Sequence, residues 1–153
     1  MKGKAIAAQR APARAVVSYA SLTAQDVMQR PVIAATPQAA LRDVAIRLVL
    51  NEISGMPVAA PDGRVVGVVT EADIVRTLVE GKRLENLTVT DVMTGPAITV
   101  DINTPVDEVM KKLEDYRIVR VPVTDGDALV GIISRRDVIK AVLEPEFMTF
   151  GDL

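Results

Sequence analysis

One short phrase occurs twice in this 153-residue chain, and it sets the terms for everything else. Residues Gly67 to Val75 read GVVTEADIV, and residues Gly131 to Ile139 read GIISRRDVI. A β-branched run before the hydroxyl residue and a helical pattern after it predict a strand-to-helix corner at Thr70 and at Ser134. Such a corner turns backbone N–H groups outward, with the positive end of the helix behind them. That is a setting for a phosphate or a carboxylate. Asp73 and Asp137 stand three places past the two hydroxyls.

The rest of the chain repeats around these corners. TAQDVM (Thr23 to Met28) predicts a helical turn and leads past Pro31 into a strand-like VIAAT. A helix is expected from about Ala39 to Asn51, with Leu41, Val44, Ala45, Leu48 and Val49 on one stripe. Then come a strand, MPVAA (Met56 to Ala60), a Pro61-Asp62-Gly63 turn and a second strand, RVVGVVT, as a hairpin. The helix after Thr70 is expected to reach about Glu80 and to stop at Gly81. The programme restarts with TVTDVM (Thr88 to Met93), then a strand, AITV (Ala97 to Val100). A helix follows, opening at Thr104-Pro105 with the stripe Val106, Val109, Met110 and Leu113. The second hairpin is IVRVPVT, the turn Asp125-Gly126-Asp127, then ALVGIIS. Pro96 matches Pro31, and Pro122 matches Pro57, at an offset of 65; past the hairpin turn the offset is 64. A constant offset that changes only inside a turn marks a duplicated unit. Each unit has about sixty residues, too few for a self-sufficient core, so two units related by a pseudo-twofold axis are expected to bury their sheets together.

Composition removes many chemistries. There is no Cys and no His, so disulfides, zinc sites of the usual ligand set and His-based triads are excluded. A P-loop and a nucleophile–base pair are equally missing from the sequence, and no enzyme activity is expected. Hydrophobic residues make up 49% and charged residues 25%, which describes a folded domain, and no apolar run is long enough to span a bilayer. The first twenty residues carry Lys2, Lys4, Arg10 and Arg14 and no acid, leaving a body of net charge −6. That body is a poor surface for duplex DNA, so a nucleic-acid partner is not expected. Residues 1–20 read as a basic, Ala-rich terminal arm, Ala5 to Ala8 being too short for a secretory segment. A cytoplasmic location fits these features.

The ordered set of paired DVM openings, the strands Met56-Pro57-Val58 and Val121-Pro122-Val123, and the two G-h-h-[ST]-x-x-D phrases resembles the CBS domain. The tandem resembles a CBS-domain pair, or Bateman module, over about Leu22 to Leu143. The resemblance implies an α+β fold of two β-α-β-β-α units. It gives domains at 21–82 and 86–144, flanked by the arm and by a tail at 145–153 that folds back or packs in a dimer. No further fused domain is expected, and a homodimer is. It further implies binding of AMP, ADP, ATP or S-adenosylmethionine, with no catalytic cofactor and no metal, and a regulated partner protein the sequence does not identify.

By the same resemblance, Asp73 and Asp137 bond the ribose hydroxyls, with Thr70 and Ser134 near ribose or phosphate and Val68 and Ile132 on the adjoining strands. Each cleft borrows a wall from the opposite unit. Asp137 is expected with Ile33, Ala34 and Pro57, and Asp73 with Ile98, Thr99 and Pro122. Arg120 holds a position where a basic residue meets phosphate in family members, and its counterpart in the first unit is Gly55. The second corner adds Arg135 and Arg136 where the first has Glu71 and Ala72, so the Asp137 cleft is expected to hold the phosphate-bearing ligand more tightly.

Plainer roles stand beside these. Thr70…Asp73 and Ser134…Asp137 also read as capping boxes with Asp in place of Glu, and a cap is compatible with a ligand contact. Arg120 also reads as a solvated or locally paired charge, Asp125 and Asp127 as turn residues, and Met28, Met56, Met93 and Met110 as core filler. The functional alternatives are an adenine-nucleotide sensor acting through a partner, an S-adenosylmethionine binder, and a dimerising interaction module without a small ligand.

Overall fold

The computed structural model describes residues 19–151, with side chains to Glu144; the expectation of a basic arm at 1–20 falls almost wholly outside the described residues. In chain order the elements are helix α1 (Ala24–Val27), α2 (Leu41–Leu50), strands β1 (Gly55–Ala59) and β2 (Val65–Thr70), α3 (Glu71–Val79), β3 (Val100–Asp101), α4 (Val106–Asp115), β4 (Arg120–Asp125), β5 (Ala128–Ser134) and α5 (Arg135–Gly151). Short 3₁₀ turns at Leu84–Asn86 and Val89–Asp91 join the halves. The order is that of a duplicated α+β unit. α5 continues over most of the segment read as a separate tail.

β1 and β2 pair antiparallel, with Pro57 opposite Val68 and Gly55 opposite Thr70. The turn between them is made by Gly63 at φ +91°, a conformation that favours glycine, and by Asp62, whose carboxylate accepts the Arg64 N–H at 3.1 Å. Gly126 at φ +62° serves the second hairpin, and Gly81 at φ +76° follows α3 as expected. The first strand of each repeat is much reduced. VIAAT contributes a single parallel bridge, Ala35 to Val58, and AITV yields only Val100–Asp101. In the second case a long-range contact intervenes: Thr94 is drawn into a two-way backbone pairing with Val68, at 2.9 and 3.0 Å, and the chain regains strand geometry only at Val100.

Two compact units form, and neither is a continuous repeat. The Asp73 unit comprises Pro31–Thr99 and the hairpin tip Thr124–Val130; the Asp137 unit takes in the described residues up to Arg30, Val100–Val123 and the described residues from Gly131 on. The opening turn of one repeat completes the other. Ala24 N–H and Gln25 N–H donate to the carbonyls of Thr104 and Ile102, at 2.8 and 3.0 Å, in the Asp137 unit. In the Asp73 unit, Val89 and Thr90 N–H donate in the same way to Ala39 and Pro37. Ala24 and Val89, both fully buried, occupy equivalent places in the two cores.

The cores are built from matched aliphatic positions. Leu41, Val44, Leu48, Met56, Val58, Val69 and Ile74 fill one, and Val106, Val109, Leu113, Val121, Val123, Ile133 and Val138 fill the other. Each such side chain contributes about 1.5–3 kcal/mol by leaving water. Of the four methionines read as core filler, Met56 is buried and Met28, Met93 and Met110 are half-buried.

Candidate functional site

Both strand-to-helix corners form where the repeated phrase places them, and each closes on itself. At the first, Asp73 Oδ2 accepts the Thr70 N–H at 2.8 Å and the Thr70 hydroxyl at 3.1 Å, while the Asp73 N–H donates to Thr70 Oγ1 at 3.4 Å. At the second, Asp137 Oδ2 accepts the Ser134 N–H at 2.7 Å and its hydroxyl at 3.0 Å, and the Asp137 N–H returns to Ser134 Oγ at 3.3 Å. These are reciprocal caps, so the plainer reading of the motif is realised in full. Both aspartates are buried, at 4% and 9% exposure, although they lie in the first turn of helices whose other early residues face water.

The corners offer fewer free donors than the sequence suggested. The Glu71 N–H donates to the Ser54 carbonyl, and the Arg135 N–H to the Val119 carbonyl, each at 2.9 Å. Three of the first four amides are thus spent inside the fold at each corner, leaving at most those of Ala72 and Arg136 for an anion. The reason is the reach of the aspartate: a buried carboxylate at the third helical position turns back onto the cap residue's own amide.

What remains of each carboxylate is Oδ1, and here the corners differ. Asp73 Oδ1 pairs with Arg76 Nη1 at 3.1 Å, a cation from the same helix whose side chain is 62% exposed. Asp137 Oδ1 accepts from the Gln29 amide at 2.7 Å. The first corner therefore carries Glu71 and a locally neutralised Asp73. The second carries Asp137 against a neutral amide, with Arg135 and Arg136 exposed beside it. Gln29 was missed by sequence reasoning, because it is 108 residues from Asp137 and its backbone belongs to the opposite repeat's opening turn.

The remaining predicted residues divide between the units. The Asp73 unit holds Thr70, Val68, Ile98 and Thr99 along with Ile33, Ala34 and Pro57, whereas the Asp137 unit holds Ser134, Ile132, Arg136, Arg120 and Pro122. Pro57 and Pro122 are buried, Arg136 is exposed, and the others are half-buried. Arg120 begins β4 and is engaged within the chain.

Within the Asp73 unit an open groove of about 470 Å³ runs past Val65, Val66, Ala97 and Thr99, with Arg64 and Asp127 at its rim. It is large enough for a purine nucleoside. It lies at the start of β2, five residues from Thr70 and so about 17 Å along the strand. Of the predicted residues only Thr99 lines it; the hairpin-end valines that wall it carried no sequence signal beyond strand pattern.

Corners, caps and duplicated hairpins define a class, the CBS-domain pair. The sequence profile of the CBS domain matches residues 24–80 and 89–144, and the chain belongs to that family, carrying two such domains. The chain is 31% identical over 115 residues to L-aspartate semialdehyde sulfurtransferase of Methanocaldococcus jannaschii. That match covers 74% of this chain and about a fifth (22%) of the relative's length. Among solved structures, the CBS domain pair of protein MJ0100, in complex with 5′-methylthioadenosine and S-adenosyl-L-methionine, is 30% identical with a TM-score of 0.71, over 81% of this chain and 97% of that one. CBS domain protein PAE2072 from Pyrobaculum aerophilum, complexed with AMP, is 28% identical with a TM-score of 0.73, over 83% and 99%.

Proposed function

We propose that this chain is a regulatory sensor of adenosine ligands, AMP, ADP or ATP foremost, that acts in the cytoplasm through a partner protein and catalyses nothing itself. The observation that carries this reading is the pair of buried carboxylates, Asp73 and Asp137, each held in fixed orientation beside a Thr or Ser. It gains weight from the family, whose members include pairs solved with AMP and with S-adenosylmethionine. In this reading the domains are residues 21–82 and 86–144. Asp137 acts with Ser134, Ile132, Ile33, Ala34 and Pro57, and Asp73 with Thr70, Val68, Ile98, Thr99 and Pro122. Arg120 and Arg136 meet the phosphate. Ligand binding shifts the relative pose of the two domains in proportion to its differential affinity for the poses, and the partner reads the shift.

Thermal unfolding with each ligand is the direct test. Millimolar AMP or ATP is expected to raise the melting temperature, by the amount that mass action on the folded state dictates. A rise with S-adenosylmethionine alone would move the assignment to that ligand, and no rise with any of the three would leave an interaction module.

A specific observation supports self-association in either case. Val49, Leu50, Val75, Leu78 and Val79 are 54–81% exposed on α2 and α3, and Val49 and Leu50 line a shallow groove with Ile46, Ala45, Leu84 and Arg42. On its α2 side the fold does not require this face to be apolar, whereas the α3 side keeps apolar counterparts in Ile139, Val142 and Leu143. At an offset of 65, Ile46, Val49 and Leu50 become Lys111, Glu114 and Asp115 on α4. An apolar patch complements its own copy across a twofold axis, so the occupant is a second copy of the chain. Wild-type protein is expected to sediment as a dimer, and Val49→Lys with Leu50→Glu as a folded monomer. A wild-type monomer at micromolar concentration would refute this.

A further inference from the structure

We infer that Gln29 sets the affinity of the Asp137 corner by competing with a ligand's ribose for the second oxygen of that carboxylate. The inference rests on the nucleotide reading given above. Asp137 Oδ2 is consumed by the Ser134 cap, so a vicinal diol must address Oδ1, and Gln29 Nε2 already sits on that atom at 2.7 Å. The position of Gln29 is not accidental to a floppy segment. Its backbone is pinned to Ile132 by two bonds, Gln29 N–H to the Ile132 carbonyl at 2.8 Å and Ile132 N–H to the Gln29 carbonyl at 3.1 Å. The preceding Met28 packs its side chain against Gly131. Gln29 thus reaches over an otherwise buried carboxylate from a fixed anchor.

The other corner shows that the fold does not need this contact. Thr94 is the counterpart of Gln29 at an offset of 65 and is pinned to Val68 by the same two backbone bonds. No bond from the shorter Thr94 side chain to Asp73 forms; Oδ1 there takes Arg76 from its own helix. One backbone frame therefore carries two different devices. At Asp73 the exposed Arg76 side chain covers the oxygen of a buried carboxylate, a cation standing where the other corner has a neutral amide. At Asp137 an anchored neutral amide covers it, and a charge-assisted hydrogen bond must be exchanged for the ligand's own. The groups bonded to the Asp137 carboxylate are Ser134 and Gln29, both neutral, so exchange of amide for hydroxyl leaves its charge unchanged.

The test is calorimetric titration of the full chain with AMP and with 2′,3′-dideoxy-AMP, for wild type, Gln29→Ala and Gln29→Thr, the last placing at this corner what the other corner carries. Both variants change an exposed side chain, and their melting temperatures confirm folding. AMP is expected to bind the variants about ten- to a hundredfold more tightly, the worth of one hydrogen bond to a charged group. Dideoxy-AMP is expected to bind all three alike, and the gain with AMP is expected to vanish when Asp137→Asn is added. Equal AMP affinity in wild type and both variants, or a gain that dideoxy-AMP shares, overturns the role of Gln29 and leaves the nucleotide reading intact. Absence of AMP binding in every form, variants included, overturns both together.

Discussion

Alanine in place of Asp137 is expected to lower the melting temperature by roughly 5–10 °C and to abolish adenosine-ligand binding at that corner, and Asp73→Ala is expected to do the same at the other. The stability loss follows from the caps. Each carboxylate accepts a backbone N–H and a hydroxyl inside a nearly closed site, and its removal strands the amide of Thr70 or Ser134. A lost cap costs about 0.5–2 kcal/mol and an unpaired buried donor about 1–3 kcal/mol. The two overlap, for a net of about 2–3 kcal/mol, and each kcal/mol moves the midpoint by about 2–4 °C at this size. The alanine variants therefore confound folding with recognition. Asparagine separates them: its carbonyl oxygen still accepts the cap amide, while its amide group presents donors where a diol needs an acceptor. Asp137→Asn and Asp73→Asn are expected to melt within a few degrees of wild type and to lose at least about tenfold in AMP affinity at their corners. The loss is expected to be greater for Asp137→Asn, because Arg135 and Arg136 flank that corner and Glu71 flanks the other. The opposite order, measured by calorimetry, would remove the charge argument.

Much of this arrangement was readable from residue order alone, since its determinants are local. The hairpin turns, the glycines at positive φ and the two caps each depend on residues within a few places of one another. The motif Thr70-x-x-Asp73 states its own geometry. Three features were not readable, and each has a physical cause. The exchange of opening turns between repeats is invisible because Ala24 and Val89 are apolar residues in near-identical settings, and periodicity cannot say which of two equivalent surfaces each will fill. The shortened first strands follow from competition for backbone partners, which is decided by tertiary placement of Thr94 and Ala35. The contact of Gln29 with Asp137 inherits the exchange, so no inspection of either repeat by itself would have found it. The overestimate of free amides at the corners has a different origin. It counted the donors of a helix terminus without counting the preceding loops, whose Ser54 and Val119 carbonyls take one each.

Gly67→Ala is expected to destabilise the fold by about 3 kcal/mol, and this prediction examines the exchanged packing directly. A Cβ on Gly67 would lie 2.8 Å from Met93 Sδ and 2.8 Å from the Thr94 carbonyl oxygen. The sulfur can move. The carbonyl cannot move freely, because Thr94 is bonded to Val68 in both directions, and relief would sacrifice part of that pairing. Overpacking of about 1–3 kcal/mol is thus compounded by a weakened hydrogen bond of about 0.5–1.5 kcal/mol. The matching glycine of the other unit behaves differently. The three atoms nearest a Cβ on Gly131 all belong to the Met28 side chain, Met28 Cβ at 3.0 Å being the farthest of them. Gly131→Ala is therefore expected to cost about 1–2 kcal/mol, and shortening the obstacle with Met28→Ala should recover part of it. Met93→Ala should not recover Gly67→Ala, since the carbonyl obstacle stays in place. Urea unfolding of the four single and two double variants gives the two coupling energies. A favourable coupling between positions 28 and 131 ties the opening turn of the first repeat to the strand of the second, while the absence of coupling there, with coupling at 93 and 67 instead, would mean that the backbone contact at Thr94 does not govern that site.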